Sequence, residues 1–105
     1  MDMYQALADP NRRRIIELIA LKGQLTSTDI ADKFDISAPA ISQHLKILRE
    51  AKLVDMEKHA QQRIYTLNRE SFDDIQKWIN KMQELWEERF QKLDKILEDL
   101  KKKSA

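Results

Sequence analysis

The sequence predicts a mainly α chain with a small β-hairpin, on three observations. Helix start signals followed by apolar stripes recur along most of its 105 residues. A single segment, Leu53 to Asn68, changes instead to a two-residue alternation. The last third holds an apolar repeat longer than a domain of this size needs for its own packing.

Taken in order, Met1 to Ala8 reads as a short helix offering Met3, Tyr4 and Leu7 to an interface. Asp9-Pro10 starts the next helix, because proline at the first helical position gives up only an amide that would be unpaired anyway. That helix runs to about Leu21, with Ile15, Ile16, Leu18 and Ile19 on its apolar side and Gly23 placed to end it. From Thr26 to Leu53 come two short helices joined by a tight turn. Thr26 caps the first, with Asp29 completing a capping box, and Ile30, Ala31 and Phe34 share one face. Phe34 to Ser37 leaves no room for a longer loop. Ser37 restarts the pattern, and Ile41, Leu45 and Leu48 form the inward stripe of the second helix. This is a helix-turn-helix.

At about 100° per residue, Pro39, Gln43 and Lys46 lie opposite that stripe, Ser42 and Arg49 flank them, and His44 sits near the core edge. Gln suits a bidentate bond to adenine, Ser is a short donor and acceptor, and Lys suits a guanine edge or a phosphate. An amphipathic helix with a merely solvated polar face fits the same pattern, so the neighbouring segments decide. Val54, Met56 and Lys58 alternate with Asp55 and Glu57, then Arg63, Tyr65 and Leu67 with Ile64 and Thr66, giving a hairpin with its tip near His59-Ala60-Gln61. A hairpin directly after such a helix is the wing of a winged helix-turn-helix.

Between Ile36 and Arg69 six basic residues (Lys46, Arg49, Lys52, Lys58, Arg63, Arg69) face three acids (Glu50, Asp55, Glu57), an excess of +3 in a chain of net charge +1. The candidate DNA-binding set is Thr26, Ser27, Ser37, Pro39, Ser42, Gln43, Lys46, Lys58, Gln62 and Arg63. So small an excess also fits a solvated charge run, and it implies moderate, salt-sensitive binding that needs two copies of the module. The triplet Arg12-Arg13-Arg14 points in three directions around its helix. It is expected to serve ion pairing and packing, with at most one member reaching phosphate.

Three runs, LADPNRRRIIELI (Leu7 to Ile19), ISAPAISQHLKILREAKLV (Ile36 to Val54) and RIYTLN (Arg63 to Asn68), resemble the ArsR-type winged-helix bacterial transcriptional regulators over about two-thirds of the chain. The stretch from Trp78 to Lys103 resembles the long C-terminal helix of a subgroup without metal sites. The resemblance implies a homodimeric repressor of double-stranded DNA. Wings of that family often carry Gly then Arg at the tip, where this chain has Ala60 and Gln61. Members that sense metals carry Cys pairs near the first motif helix or His and carboxylate ligands on the terminal helix. Here there is no Cys, and none of Phe72 to Ala105 is His. No metal and no cofactor are expected.

The final helix is expected from about Ser71 to Lys103, with Ser71 as cap, Asp73 and Asp74 in the first turn and three lysines at the end, matching the helix dipole. It would be about 48 Å long at 1.5 Å per residue. Phe72, Ile79, Trp86, Leu93 and Leu100 recur every seven residues, Ile75, Met82 and Ile96 take the second heptad position, Arg89 interrupts it, and Trp78, Leu85 and Leu97 widen the stripe. The expected dimerisation residues are Tyr4, Phe72, Ile75, Ile79, Met82, Trp86, Phe90 and Leu93. A helix folded wholly onto its own domain is the alternative. Tyr4, Trp78, Trp86 and Phe90 could also line a groove for a small apolar ligand or a protein partner, although dimer core is the preferred reading. The expected division is a DNA-binding region with N-terminal helices at 1–70 and a dimerisation helix at 71–105, within one domain.

Composition excludes several classes. Neither a membrane span nor a signal peptide is expected, and cysteine is absent, so the expectation is a cytoplasmic protein without disulfides or thiol sensing. No phosphate loop or nucleophile elbow supports an enzyme, and the two histidines, His44 and His59, lie on separate elements. The rival to a repressor is a coiled-coil adaptor whose winged helix binds protein.

Overall fold

The computed structural model describes residues 1–104; Ala105, the last residue of the expected 71–105 segment, lies outside the described residues. The elements run α1 (Met3–Ala6), α2 (Pro10–Lys22), β1 (Leu25–Thr26), α3 (Ser27–Ala31), α4 (Ala38–Glu50), β2 (Val54–His59), β3 (Gln62–Leu67) and α5 (Arg69–Ser104). They fall into two compact units, Met1–Phe72 and the chain from Asp73 onward.

In the first unit each short helix has a built start. Asp2 and Gln5 close a reciprocal capping box on α1, with bonds of 2.8 and 2.9 Å. The Asp9 carboxylate caps α2 by accepting the Arg12 amide at 3.1 Å, and chiefly that bond holds its pKa below the ordinary value. Gly23, at φ 86°, ends α2 in a conformation that only glycine adopts without strain. The core is built from α2, α3, α4 and the start of β2. Ile15, Ile19, Ile30, Ile41, Leu45, Leu48, Leu53 and Val54 are each under 2 % exposed, and a side chain so buried is worth about 1.5 to 3 kcal/mol.

The helix-turn-helix departs from expectation at its turn. Helix α3 stops at Ala31, so Phe34 lies in the turn and not on the helix face, and the connection is longer than Phe34 to Ser37. Bonds from Asp32 N to Thr28 O (3.0 Å), Lys33 N to Ile30 O (3.1 Å) and Phe34 N to Ala31 O (3.3 Å) unwind the chain step by step. With Ile30 as its only fully buried residue, α3 has no second apolar turn to hold the helix further. Phe34 instead packs under the Arg14 guanidinium, 4.9 Å from its ring centroid. Arg13 donates to Leu7 O at 2.7 Å, and the buried Arg12 donates to Ala6 O at 2.7 Å and Gln5 O at 3.4 Å. The partners of the three arginines are carbonyls, the Phe34 ring and, for Arg12, also His44 and the Met1 sulfur, where ion pairs were expected.

The expected hairpin is part of a three-stranded antiparallel sheet of order β1-β3-β2. Strand β1 pairs Leu25 with Tyr65 and Thr26 with Ile64, while β2 and β3 pair from Val54–Leu67 to His59–Gln62. The tip turns on Ala60-Gln61, and Ala60 takes φ 55°, doing without glycine what the turn demands. A second left-handed residue, Lys52 at φ 64°, ends α4. Its amide bonds Arg49 O at 3.0 Å and the next amide, Leu53, bonds Leu48 O at 3.0 Å, the two bonds of a Schellman motif. The Ser71 hydroxyl donates to Lys52 O at 2.6 Å.

That bond explains a second departure. The cap of α5 is Asn68, whose side-chain oxygen accepts the Ser71 amide at 3.0 Å, so the helix begins at Arg69 and Ser71 pins the end of α4. In the second unit α5 is a single helix, and nine of its large apolar side chains between Trp78 and Leu100 are 38 to 59 % exposed. The Trp86 and Phe90 rings, one turn apart, lie 5.6 Å centre to centre.

Candidate nucleic-acid interface

Helix α4 is fixed at both ends, which sets the direction of its polar face. The Ser37 hydroxyl accepts the Ala40 amide at 3.3 Å, proline occupies the first turn, and the Schellman motif closes the other end. Because Ile41, Leu45 and Leu48 are buried, Pro39, Ser42, Gln43, Lys46 and Arg49 stand exposed on the opposite side. The buried Arg12 guanidinium also lies 3.5 Å from His44 Nδ1, tying the inner edge of α4 to α2.

An open groove forms between α4 and the wing, lined by Pro39, Ser42, Gln43, Lys46, Arg49 and Glu50 of α4 and by Arg63 and Tyr65 of β3. Lys58 belongs to the same surface. It is directly opposite Arg63 in the β2–β3 register, and residues so paired project from the same face of a sheet. Two like charges opposed in this way weaken a hairpin, so the pair costs stability unless an anion lies over it. The groove thus offers amide and hydroxyl groups able to read base edges, bordered by Lys46, Arg49 and Arg63 for a phosphate backbone, with Glu50 its one carboxylate.

Five of the expected residues, Pro39, Ser42, Gln43, Lys46 and Arg63, are gathered in this groove. Lys58 and Gln62 are exposed on the wing outside it. Thr26 and Ser37 serve as helix caps, Thr26 accepting the Asp29 amide at 3.1 Å, and Ser27 is half-buried beside Thr26; none of these three lines the groove. Sequence reasoning left out Arg49, Glu50 and Tyr65. Helical projection had placed Arg49 on the flank of the outward face. Tyr65 shares the face of Arg63 by alternation, two residues along the same strand, and that signal could have found it.

Of the expected dimerisation residues, Tyr4 is 42 % exposed in the first unit, where Phe72 is half-buried. In the second, Ile75 and Met82 are half-buried and Ile79, Trp86, Phe90 and Leu93 exposed. Among the described residues no three His, Asp or Glu side chains gather where they could hold a metal ion, and no helix is long and apolar enough to cross a membrane.

Comparison with known proteins agrees with this geometry. Residues 9–56 match the model of the bacterial regulatory proteins of the arsR family. The chain is 37 % identical to the transcriptional repressor SdpR of Bacillus subtilis over 74 % of its own length and 86 % of that protein. It is 34 % identical to the arsenical resistance operon repressor of Staphylococcus xylosus over 70 % of this chain and 69 % of the relative. A crystal structure of an ArsR family transcriptional regulator superposes with a TM-score of 0.73 at 31 % identity, covering 80 % of this chain and 86 % of the other. The chain belongs to the ArsR family of bacterial regulatory proteins.

Proposed function

We propose that this protein is a sequence-specific DNA-binding transcriptional repressor that acts as a homodimer on a near-palindromic operator. The groove between α4 and the wing carries the proposal: its base-reading groups Ser42 and Gln43 lie within a border of Lys46, Arg49 and Arg63. In this reading α4 enters the major groove, with Gln43 on a base edge and Lys46 and Arg49 on the edge or backbone beside it. The wing lays Lys58 and Arg63 along neighbouring phosphates, which relieves their mutual repulsion. Thr26, Ser27 and Ser37, at the starts of α3 and α4, and Gln62 of the wing have at most backbone contacts.

The chain from Asp73 onward joins two copies, since its exposed apolar stripe is too long for surface exposure in a stable protein. Phe72 and Tyr4, in the first unit, also serve contacts between copies, and the aromatic residues are dimer core in preference to a ligand groove. Two DNA-binding units so joined read half-sites about one DNA turn apart, roughly 34 to 36 Å, or a multiple of it. Repression follows from occupying the operator and blocking promoter access. Selection from genomic fragments, with affinity measured across salt concentrations, tests the proposal. A preferred sequence whose affinity falls steeply with salt is expected; binding without sequence preference would refute it.

A further inference from the structure

On the central strand of the sheet a buried side chain carries a hydroxyl that the protein itself does not use. Strand β3 is paired on both sides, and Tyr65 lies opposite Leu25 of β1 and Met56 of β2, with only 5 % of the residue exposed. Among the described residues its hydroxyl has no hydrogen-bond partner. The oxygen is nevertheless open to solvent, because in residues that are not exposed every described side-chain nitrogen or oxygen sealed from solvent has a partner. Since Tyr65 lines the groove between α4 and β3, that opening leads into the groove. A donor left unpaired beside a buried ring costs stability, and phenylalanine would fill the same space without it.

The groove walls ask for the same ligand. Lys46 and Arg49 of α4 and Arg63 of β3 line it, and the side chain of none of them has an ion-pair or hydrogen-bond partner among the described residues. Glu50, the one carboxylate of the groove, engages neither the cations nor the hydroxyl. Along the face of the sheet that Tyr65 occupies, the paired positions run from Val54–Leu67 through Met56–Tyr65 to Lys58–Arg63. Tyr65 is thus the step between the apolar core and the cationic end, where an apolar ring with a polar tip fits.

We infer that the Tyr65 hydroxyl donates a hydrogen bond to a phosphate of the DNA strand running between α4 and the wing, with Arg49 and Arg63 supplying the opposite charge. This rests on the reading of the groove as the DNA surface. A helix in the major groove and a hairpin against the neighbouring backbone straddle one sugar–phosphate strand. The floor of the cleft between them therefore meets a phosphate, while Ser42 and Gln43 on the helix keep the base edges. Because the ring is held on a strand paired on both sides, the contact fixes how deeply α4 enters the major groove.

Tyr65→Phe in the full chain keeps the ring and removes only the hydroxyl. Anisotropy titrations use the operator duplex selected from genomic fragments and its single-base variants, with thermal melts beside them. Affinity is expected to fall about tenfold per half-site, as for a hydrogen bond to a charged group. The order of preference among the duplexes should stay the same and Tm should hold or rise, since no internal bond is lost. A single methylphosphonate, which replaces one charged phosphate oxygen by a methyl group, is then moved along the operator. At one position per half-site it should weaken the unmodified protein but add little to the loss already caused by Tyr65→Phe. Arg63→Gln should be insensitive at the same position, a second variant that leaves the ring in place. Equal operator affinity of Tyr65→Phe and the unmodified protein, a lower Tm, a changed sequence preference, or methylphosphonate losses that add fully at every position with both variants would each overturn the contact. Failure of the unmodified protein to prefer any sequence would overturn instead the reading of the groove on which it rests.

Discussion

Replacing Lys58 by glutamate should strengthen the fold and weaken the function. In the β2–β3 register Lys58 faces Arg63, and both side chains are exposed. A cross-strand charge pair is worth roughly 0.2 to 1 kcal/mol in either direction. Changing repulsion into attraction adds the two contributions, and solvent screening at an exposed site keeps the gain near the lower end, at about 0.5 kcal/mol. For a domain of this size that is a rise of roughly 2 to 4 °C in Tm. On DNA the sign reverses. Each protomer loses one cation at the phosphates, and each lost contact lowers the slope of log affinity against log salt by about 0.9, so a dimer loses about 1.8. Thermal melts and fluorescence anisotropy at several salt concentrations measure the two halves. A lower Tm would refute the like-charge cost. An unchanged salt slope in a folded protein would refute placing the wing at the DNA backbone.

Other expectations concern reading, backbone strain and signals. Gln43→Ala should relax sequence choice by about 1 to 3 kcal/mol at one position per half-site, whereas Lys46→Ala should weaken all sequences alike; selection from randomised operators separates the two. Lys52→Gly should raise the urea midpoint, because a non-glycine residue in the left-handed region costs about 1 to 2 kcal/mol and glycine's own entropy gives part of that back. Zinc, cadmium, copper and peroxide should leave operator affinity unchanged in a binding titration, since the chain offers no thiolate and its two histidines stand on separate elements.

Much of the fold is written in local signals. The start of α4 was legible because a serine cap and a proline precede a four-residue apolar repeat, and the wing because alternation replaces that repeat at Val54. The outward face of α4 followed from projection alone. What escaped depends on contacts between distant segments. Strand β1 has two residues, too few for any alternation, and exists because Tyr65 and Ile64 pair with it. The end of α4 lacks the expected glycine signal, since Lys52 takes the left-handed conformation and Ser71 bonds its carbonyl. For the same reason Asn68, and not Ser71, caps α5. Tyr65 lies two residues from Arg63 on the same face of β3, so alternation carries its place in the groove once Arg63 is assigned there, whereas the groove itself exists because distant segments place β3 across from α4.

Footprinting of full-length protein on its selected operator, combined with the mass of the complex in sedimentation, tests the reading most directly. Two protein chains per duplex are expected, protecting two half-sites of related sequence whose centres lie about one DNA turn apart or a multiple of it. A single protected site holding one chain would contradict a homodimeric repressor that reads DNA through α4 and the wing.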